Sequence, residues 1–222
     1  KVAVLDTGLD SGNPLVEVHA DRIRHHNWFD KSKGSDIADT NGHGTHTAAL
    51  ILDYIPDAEV YVSKVTDGKH LDPNIIALVL AVKAVDHAIT EKVDILSISI
   101  GFPQRVPGYE VLQSAIDRAH AAHVLVFAAA SNGGGNNDRT FPARHDHVFC
   151  VHSTDSRGNR STFSPTPEHN NVNFATTGEA IESAWPVHLC DDKDDLQKMK
   201  SGTSYATPIA ASIASFLLLY AR

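Results

Sequence analysis

Apolar positions along the chain fall into short continuous runs and longer runs at helical spacing. Five short runs predict strands, most of which are apolar throughout because both of their faces are buried. They lie at 2–5, 58–65, 94–100, 123–130 and 147–153. Helical spacing predicts helices over 42–55, 73–92, 109–122 and from about 203 to 219. Strands that alternate with helices in this way predict an α/β fold, an open and mostly parallel sheet covered by helices.

Polar stretches rich in Gly, Asn, Asp and Ser separate these elements and predict surface loops. They cover 30–41, 131–139, 155–173 and 190–201. Most of them follow predicted strands. In an open α/β sheet the carboxyl ends of the strands form the edge at which ligands bind. We therefore expect the chemistry of this protein in residues that directly follow strands.

The length and charge of the chain limit the possible functions. A chain of 222 residues in an α/β fold predicts one domain over 1–222. Its net charge of -8 argues against a nucleic-acid partner. Its longest apolar runs fall short of the roughly 20 residues of a membrane span, so no membrane association is expected. The strand-like start at Lys1 indicates an excised or processed domain, part of a larger polypeptide.

The two cysteines, Cys150 and Cys190, form no C-x-x-C pair and stand in no cluster with histidine at zinc spacing. The sequence therefore predicts neither a disulfide scaffold nor a structural zinc site. A pair of histidines, His43 and His46, stands three residues apart in NGHGTHTAAL. The H-E-x-x-H pattern is absent there, so we expect no metal and interpret His46 as a buried, hydrogen-bonded helix residue.

A serine in an unusual context stands near the end of the sequence. Ser204 follows Gly-Thr in SGTSYATPIAASIA, directly before small and apolar residues that predict a buried helix. A hydroxyl at this point can cap the first turn of the helix. It can also be a nucleophile, provided that a base, a carboxylate that orients the base, and donors for the developing oxyanion are present.

Three further residues match those requirements. Asp6 ends the first predicted strand, His43 stands between two glycines where a turn leads into a helix, and Asn132 follows the strand 123–130. Asp6 and Asn132 each also have a structural alternative as turn residues. The D-T-G of Asp6 occurs in aspartic proteases as well, but their dyad needs two such loops from separate lobes. The four residues together favour nucleophilic catalysis.

These segments resemble the subtilisin-like serine proteases, the subtilases. The resemblance rests on VAVLDTGLD, NGHGTHTAALI and SGTSYATPIAASIA in the family's Asp, His, Ser order, with AAASN before the third. It extends over nearly the whole chain, including DILSISIG at 94–101 and FATTG at 174–178, the latter as the loop before the serine segment. The resemblance implies a three-layer subtilisin-like fold and a serine endopeptidase. Its catalytic residues would be Asp6, His43 and Ser204, with Asn132 in the oxyanion hole.

The resemblance also implies where a peptide or protein substrate would bind. The substrate would lie as an extended strand beside Ser99, Ile100 and Gly101. The walls of the pocket for the side chain before the scissile bond would be Ile100, Ala129, Ala130, Ser131 and Thr140. Because these residues are small or uncharged, we expect a neutral side chain there.

The sequence departs from the family pattern in several places. Ser131 replaces a usual glycine, Tyr205 a usual methionine, and Thr207 a usual Ala or Ser. Catalysis is expected to need no cofactor. A structural calcium stays open, because the chain lacks the N-terminal arm that carries a calcium ligand in many relatives. The location stays open as well: the lack of a disulfide pattern resembles intracellular relatives, whereas the sequon at Asn159 is compatible with secretion. The alternative function is a pseudoenzyme that binds peptides without cutting them.

Overall fold

A computed structural model describes residues 1–68, 75–102, 108–135, 137–169, 171–192 and 195–221. The strands are β1 Val2–Asp6, β2 Ile23–Asn27, β3 Val60–Lys64, β4 Ile95–Ile98, β5 Leu125–Ala129, β6 Val148–Thr154, β7 Asn173–Thr177, β8 Ile181–Ala184 and β9 Gln197–Lys200. The helices are α1 Pro14–Glu17, α2 His43–Tyr54, α3 Ile75–Thr90, α4 Tyr109–Ala121 and α5 Thr203–Ala221.

Seven strands form one sheet in the order β2-β3-β1-β4-β5-β6-β7, and every neighbouring pair is parallel. The chain order reverses between β1 and β4. A crevice at such a switch point is where open α/β sheets bind ligands. β8 and β9 form a separate antiparallel pair, with Ile181 opposite Lys200.

Two hydrophobic clusters cover the two faces of this sheet. On one face α3 and α4 pack on the strands, and on the other face α2 and α5 do so. Successive residues of β1 point to opposite faces: Ala3 and Leu5 belong to the first cluster, Val2 and Val4 to the second. By this alternation Asp6 ends β1 on the face that carries α2 and α5.

All five predicted core strands and all four predicted helices are present, so the expected arrangement is confirmed. Residues 73 and 74 of the helix predicted over 73–92 lie outside the described residues. Two loop predictions are wrong in part. The polar stretch 190–201 contains β9, and residues 174–177 of the expected loop belong to β7. Both strands are built from exposed or half-buried residues, whose polarity resembles that of a loop.

α5 is long and apolar enough, at 19 residues and a mean hydropathy of 1.4, to cross a membrane by length and composition alone. The sequence predicts that every apolar run is too short for a membrane span, and this expectation does not hold for the full length of α5. In this fold, however, 44% of the stretch is buried. Its first half packs on the sheet and on α2, as the core helix of an α/β layer does.

Candidate active site

Asp6 is fully buried at the end of β1, and its two carboxylate oxygens face different partners. Oδ1 accepts from the backbone N–H of Thr7 at 2.8 Å and lies 2.7 Å from Nδ1 of His43. Oδ2 accepts from the hydroxyl of Thr47, which lies on α2, at 3.0 Å. The carboxylate is therefore held in one orientation by the strand behind it and the helix in front of it.

His43 is the first residue of α2, and only 21% of its side chain is exposed. Because Nδ1 donates to Asp6, Nε2 is the ring nitrogen left for the cleft. Burial by itself lowers the pKa of His43. The charge and hydrogen bond of Asp6, together with the charge of Asp39, outweigh burial and raise the pKa above its ordinary 6.5. The site thus favours the protonated imidazole, the form that a histidine takes after it accepts a proton.

A second buried carboxylate, Asp39, holds the loop in front of His43. Its Oδ1 accepts from the hydroxyl of Thr7 at 2.8 Å and from the N–H groups of Asn41 at 3.0 Å and Gly42 at 2.9 Å. Its Oδ2 accepts from the N–H and the hydroxyl of Thr45, both at 2.8 Å. Burial raises the pKa of this carboxyl, but these hydrogen bonds outweigh it and leave the pKa below 3.8. Asp39 therefore stays charged and ties the end of β1 to the start of α2.

The glycine before His43 is required by its surroundings. Gly42 has a φ of 96°, in the left-handed region that favours glycine. A Cβ at this position would lie 2.4 Å from the indole of Trp185. The ring of Trp185 thus occupies the space that a side chain at residue 42 would fill.

Ser204 is the second residue of α5, where the positive end of the helix dipole lies. Its hydroxyl donates to the carbonyl of Ser99 at 3.0 Å, and the hydroxyl of Ser99 donates to the carbonyl of Ser204 at 2.8 Å. Within the described residues no hydrogen bond joins Ser204 to His43, although both line the same cleft. A rotation about χ1 of Ser204 is needed before the hydroxyl can meet the imidazole.

Asn132 follows β5 and faces the start of α5. Its Oδ1 accepts from the N–H of Thr203 at 2.8 Å and from the hydroxyl of Thr203 at 3.1 Å. These two bonds fix the amide with its oxygen toward the helix, which leaves the Nδ2 donor for the cleft. Thr203 is itself fully buried, and its single hydroxyl hydrogen is shared between Oδ1 of Asn132 and the carbonyl of Ser131, which lies 3.2 Å away.

These residues surround a cleft of about 280 Å³ at the carboxyl edge of the sheet. The expected substrate-binding residues that line it are Ser99, Ile100, Gly101, Ala129, Ser131 and Thr140. Ala130 does not line it, because its side chain is fully buried in the cluster beneath α3 and α4. The cleft is also lined by Thr7, Asn41, Thr66, Gly68 and Thr203, which the sequence alone did not single out.

Thr140 closes the cleft on one side. It lies against Gly101, where a Cβ would fall 2.2 Å from the Thr140 hydroxyl oxygen. That hydroxyl donates over 3.3 Å to the carbonyl of Ala130. The glycine at 101 thus leaves the space that the threonine side chain occupies.

His46 is fully buried in α2 and hydrogen-bonded, as expected from the sequence. Its Nε2 lies 3.1 Å from the carbonyl of Ile181 and 3.0 Å from that of Lys198, so it carries the proton. Burial lowers the pKa of His46 to about 4, so the ring is neutral at pH 7. Over the described stretches of the chain, no group of three or more His, Cys, Asp or Glu is placed to hold a metal ion.

The three departures from the family pattern are accommodated locally. Ser131 adopts a φ of 150°, a value that glycine reaches more easily than serine. The ring of Tyr205 lies 5.3 Å from that of His43 and 4.6 Å from that of His46. The hydroxyl of Thr207 donates to the carbonyl of Thr203 at 2.8 Å, inside α5. None of these changes displaces the residues that line the cleft.

The sequence was compared with models of known protein families. A model of the subtilase family matches residues 1–221. The chain belongs to the subtilase family of serine proteases. The matched range of this subtilase includes every segment on which the resemblance rests.

Individual relatives agree with the family match. An intracellular serine protease of Paenibacillus polymyxa is 33% identical over 230 residues, which cover 96% of this chain and 65% of that protein. The major intracellular serine protease of Bacillus subtilis is 30% identical over 233 residues, with 99% of this chain and 68% of that protein covered. This subtilase thus spans about two thirds of the length of these two relatives.

A solved structure confirms the expected fold class. The crystal structure of a cold-adapted subtilisin-like serine proteinase superimposes with a TM-score of 0.79 and 26% sequence identity. The superposition covers 99% of this chain and 75% of the other. The parallel sheet between two helical layers is therefore that of the subtilisin-like proteases.

Proposed function

We propose that this chain is a serine endopeptidase in which Ser204 is the nucleophile, His43 the general base and then acid, and Asp6 the orienting carboxylate. The proposal rests chiefly on one observation, the 2.7 Å contact between Asp6 and Nδ1 of His43 beside a cleft that Ser204 also lines. A serine hydroxyl is too weak an acid to attack an amide unaided, and this pair supplies the base that it needs.

The reaction begins when Ser204 Oγ turns from the Ser99 carbonyl toward Nε2 of His43. The oxygen attacks the scissile carbonyl carbon while its proton passes to Nε2, and Asp6 stabilises the resulting imidazolium. The carbonyl oxygen becomes an oxyanion at the N-terminus of α5. There the side-chain amide of Asn132 and the backbone N–H of Ser204 donate to it.

Collapse of the tetrahedral intermediate breaks the carbon–nitrogen bond. The imidazolium gives its proton to the leaving amine, and an ester joins the acyl half of the substrate to Ser204. A water molecule then attacks the ester, and His43 takes its proton. The second collapse returns the proton to Ser204 Oγ and releases a carboxylic acid.

The substrate is a peptide or protein segment held in extended conformation beside Ser99, Ile100 and Gly101. Its side chain before the scissile bond enters the cleft between Ile100 and Ala129, which Thr140 closes. We propose residues 1–222 as one peptidase domain, because both hydrophobic clusters pack on the same sheet.

Labelling with a fluorophosphonate tests the proposal, since this probe reacts only with an activated serine. Wild-type protein should be labelled, and Ser204→Ala should be neither labelled nor active. Ser212→Ala is the matched control, because Ser212 lies on the same helix and its buried hydroxyl has no hydrogen-bond partner among the described residues. This control should keep full labelling.

The second candidate function is a peptide-binding pseudoenzyme. The observation in its favour is the hydroxyl of Ser204, which bonds to Ser99 and not to His43. Folded wild-type protein that binds an extended peptide but takes up no probe would establish this alternative. Labelling that is lost in Ser204→Ala and kept in Ser212→Ala would exclude it.

A further inference from the structure

Two lysines of β9 share one aromatic ring. Lys198 and Lys200 stand two residues apart, so both side chains point to the same face of the strand. Nζ of Lys198 lies 5.0 Å from the ring centre of Trp185, and Nζ of Lys200 lies 4.6 Å from it. Each contact is a favourable cation–π interaction, but together they bring two positive charges close to each other.

In the part of the chain that the structure describes, no carboxylate forms an ion pair with either of these two lysines. This holds although the chain as a whole carries a net charge of -8. Burial and the neighbouring ammonium of Lys198 both lower the pKa of Lys200. Two adjacent cations without a counter-charge repel each other, and an incoming anion would relieve that repulsion.

The lysine pair is fixed beside the catalytic histidine. The ring of Trp185 packs on Gly42, the residue directly before His43. The backbone carbonyl of Lys198 is bonded to Nε2 of His46 at 3.0 Å, which anchors β9 to α2. Lys200 is also close enough to His43 for its charge to lower the pKa of that imidazole.

The position of the pair relative to the cleft indicates which half of a substrate it meets. The acyl half of the peptide lies in the cleft, whose walls follow β4 and β5. The leaving amine receives its proton from His43, so the residues after the scissile bond must pass on the other flank of the imidazole. The ring of Tyr205 lies 5.3 Å from the imidazole, and Trp185 packs on Gly42. Neither these residues nor β9 line the cleft, and on that ground we assign them to the other flank.

We propose that Lys198 and Lys200 form a subsite for acidic side chains on the C-terminal side of the scissile bond. This inference rests on the proposed function, because the role of His43 defines which side of the imidazole the leaving half of the substrate occupies. It specifies the substrate as a peptide with Asp or Glu shortly after the cleaved bond. The ring of Trp185 supports the aliphatic parts of both lysines and keeps their ammonium groups in place.

Matched peptides test the proposal. They share one neutral sequence before the scissile bond and carry two Asp, two Asn or two Lys after it. At about 10 mM salt the acidic peptide should have a kcat/KM about threefold to tenfold above the basic one, the range expected of two exposed ion pairs. The difference should vanish near 1 M salt, where the Debye length is about 3 Å.

Paired variants assign the effect to these lysines. Lys198→Met with Lys200→Met should remove the preference while keeping side-chain length, and Lys198→Glu with Lys200→Glu should invert it. Lys33→Glu with Lys83→Glu is the control, because it changes two exposed lysines elsewhere by the same total charge. Equal kcat/KM for acidic and basic peptides at low salt overturns the proposal. So does a preference that survives the methionine pair, or one that the control pair alters equally.

Binding to the Ser204→Ala variant separates this inference from the proposed function. Calorimetry should give a lower Kd for the acidic peptide than for the basic one, with the same dependence on Lys198 and Lys200. If wild-type protein cleaves no peptide while this binding preference is present, the endopeptidase assignment fails and the acidic subsite stands. Equal Kd values for the two peptides overturn the subsite whether or not cleavage occurs.

Discussion

Replacing Asn132 should reduce turnover and stability through different atoms of the same amide. Nδ2 is the proposed donor to the oxyanion, and removal of one such donor costs about a hundredfold to a thousandfold in kcat, roughly 3 to 4 kcal/mol. That range comes from subtilisin, a relative of this chain. Oδ1 accepts two hydrogen bonds from the buried Thr203, each worth about 1 kcal/mol net.

Asn132→Ala removes both functions, whereas Asn132→Asp keeps the acceptor and loses the donor. We expect kcat to fall at least a hundredfold in both variants, with KM within a few-fold of wild type, because the oxyanion exists only in the transition state. The free energy of unfolding should fall by about 2 kcal/mol in Asn132→Ala and by less in Asn132→Asp.

Steady-state kinetics on a chromogenic peptide and thermal melting of each variant provide the measurements. Active-site titration normalises kcat to folded, labelled enzyme. A kcat for folded Asn132→Ala within about threefold of wild type would refute the oxyanion assignment. A loss of stability without a loss of turnover would show that the residue serves only to hold Thr203.

Three further predictions concern the surroundings of the site. The kcat/KM should rise with pH through a midpoint above 6.5, since His43 must be neutral to act and its pKa is raised. Asp39→Asn should move that midpoint to lower pH, because the charge of Asp39 helps to raise the pKa of His43. An unchanged pH profile in this variant would contradict the prediction. His46 takes up no proton in the folded state until about pH 4, whereas in the unfolded chain it does so near pH 6.5. Its contribution to the free energy of unfolding should therefore fall by about 3 kcal/mol between pH 6.5 and 4. Denaturant titrations should show a fall that is smaller by this contribution in His46→Gln. Gly42→Ala should lower the free energy of unfolding by about 2 to 5 kcal/mol, because it combines a positive φ with a clash against the indole. Gly34→Ala, with a φ of 59° and open space around it, should show the backbone cost alone in the same melting experiment.

The sequence predicts the central strands because strands that are buried on both faces consist mainly of apolar residues. All five residues of β1 and of β3 are buried, and both strands appear as apolar runs in the sequence. β2 has no such signature: its burial pattern includes three exposed residues, and only backbone pairing with β3 makes it a strand. Edge strands of this kind depend on their neighbour for their structure, so their own residues do not predict them.

In the candidate site, too, the sequence predicts some residues and misses others. Asp6, His43, Asn132 and Ser204 stand in local motifs. The fold places the last three around one cleft and Asp6 behind His43. The sequence did not predict Asp39 as a site residue. Asp39 acts by accepting hydrogen bonds from backbone and hydroxyl groups, and only the folded loop brings these donors together. A carboxylate shortly before a Gly-His-Gly turn was the signal available.

Two further details depend on geometry that no motif carries. The rotamer of Ser204 follows from the position of the Ser99 carbonyl, and the burial of Ala130 follows from the alternation of side chains just beyond β5.

The distribution of the site along the chain has a consequence for synthesis. Asp6 lies on the first strand and His43 on the helix α2, whereas Ser204 belongs to α5, the last described element. During translation the first part of the chain therefore emerges with the acid and the base but without the nucleophile. In the proposed assignment, cleavage begins only when α5 docks on the finished sheet. In that assignment an incomplete chain that lacks α5 has no peptidase activity.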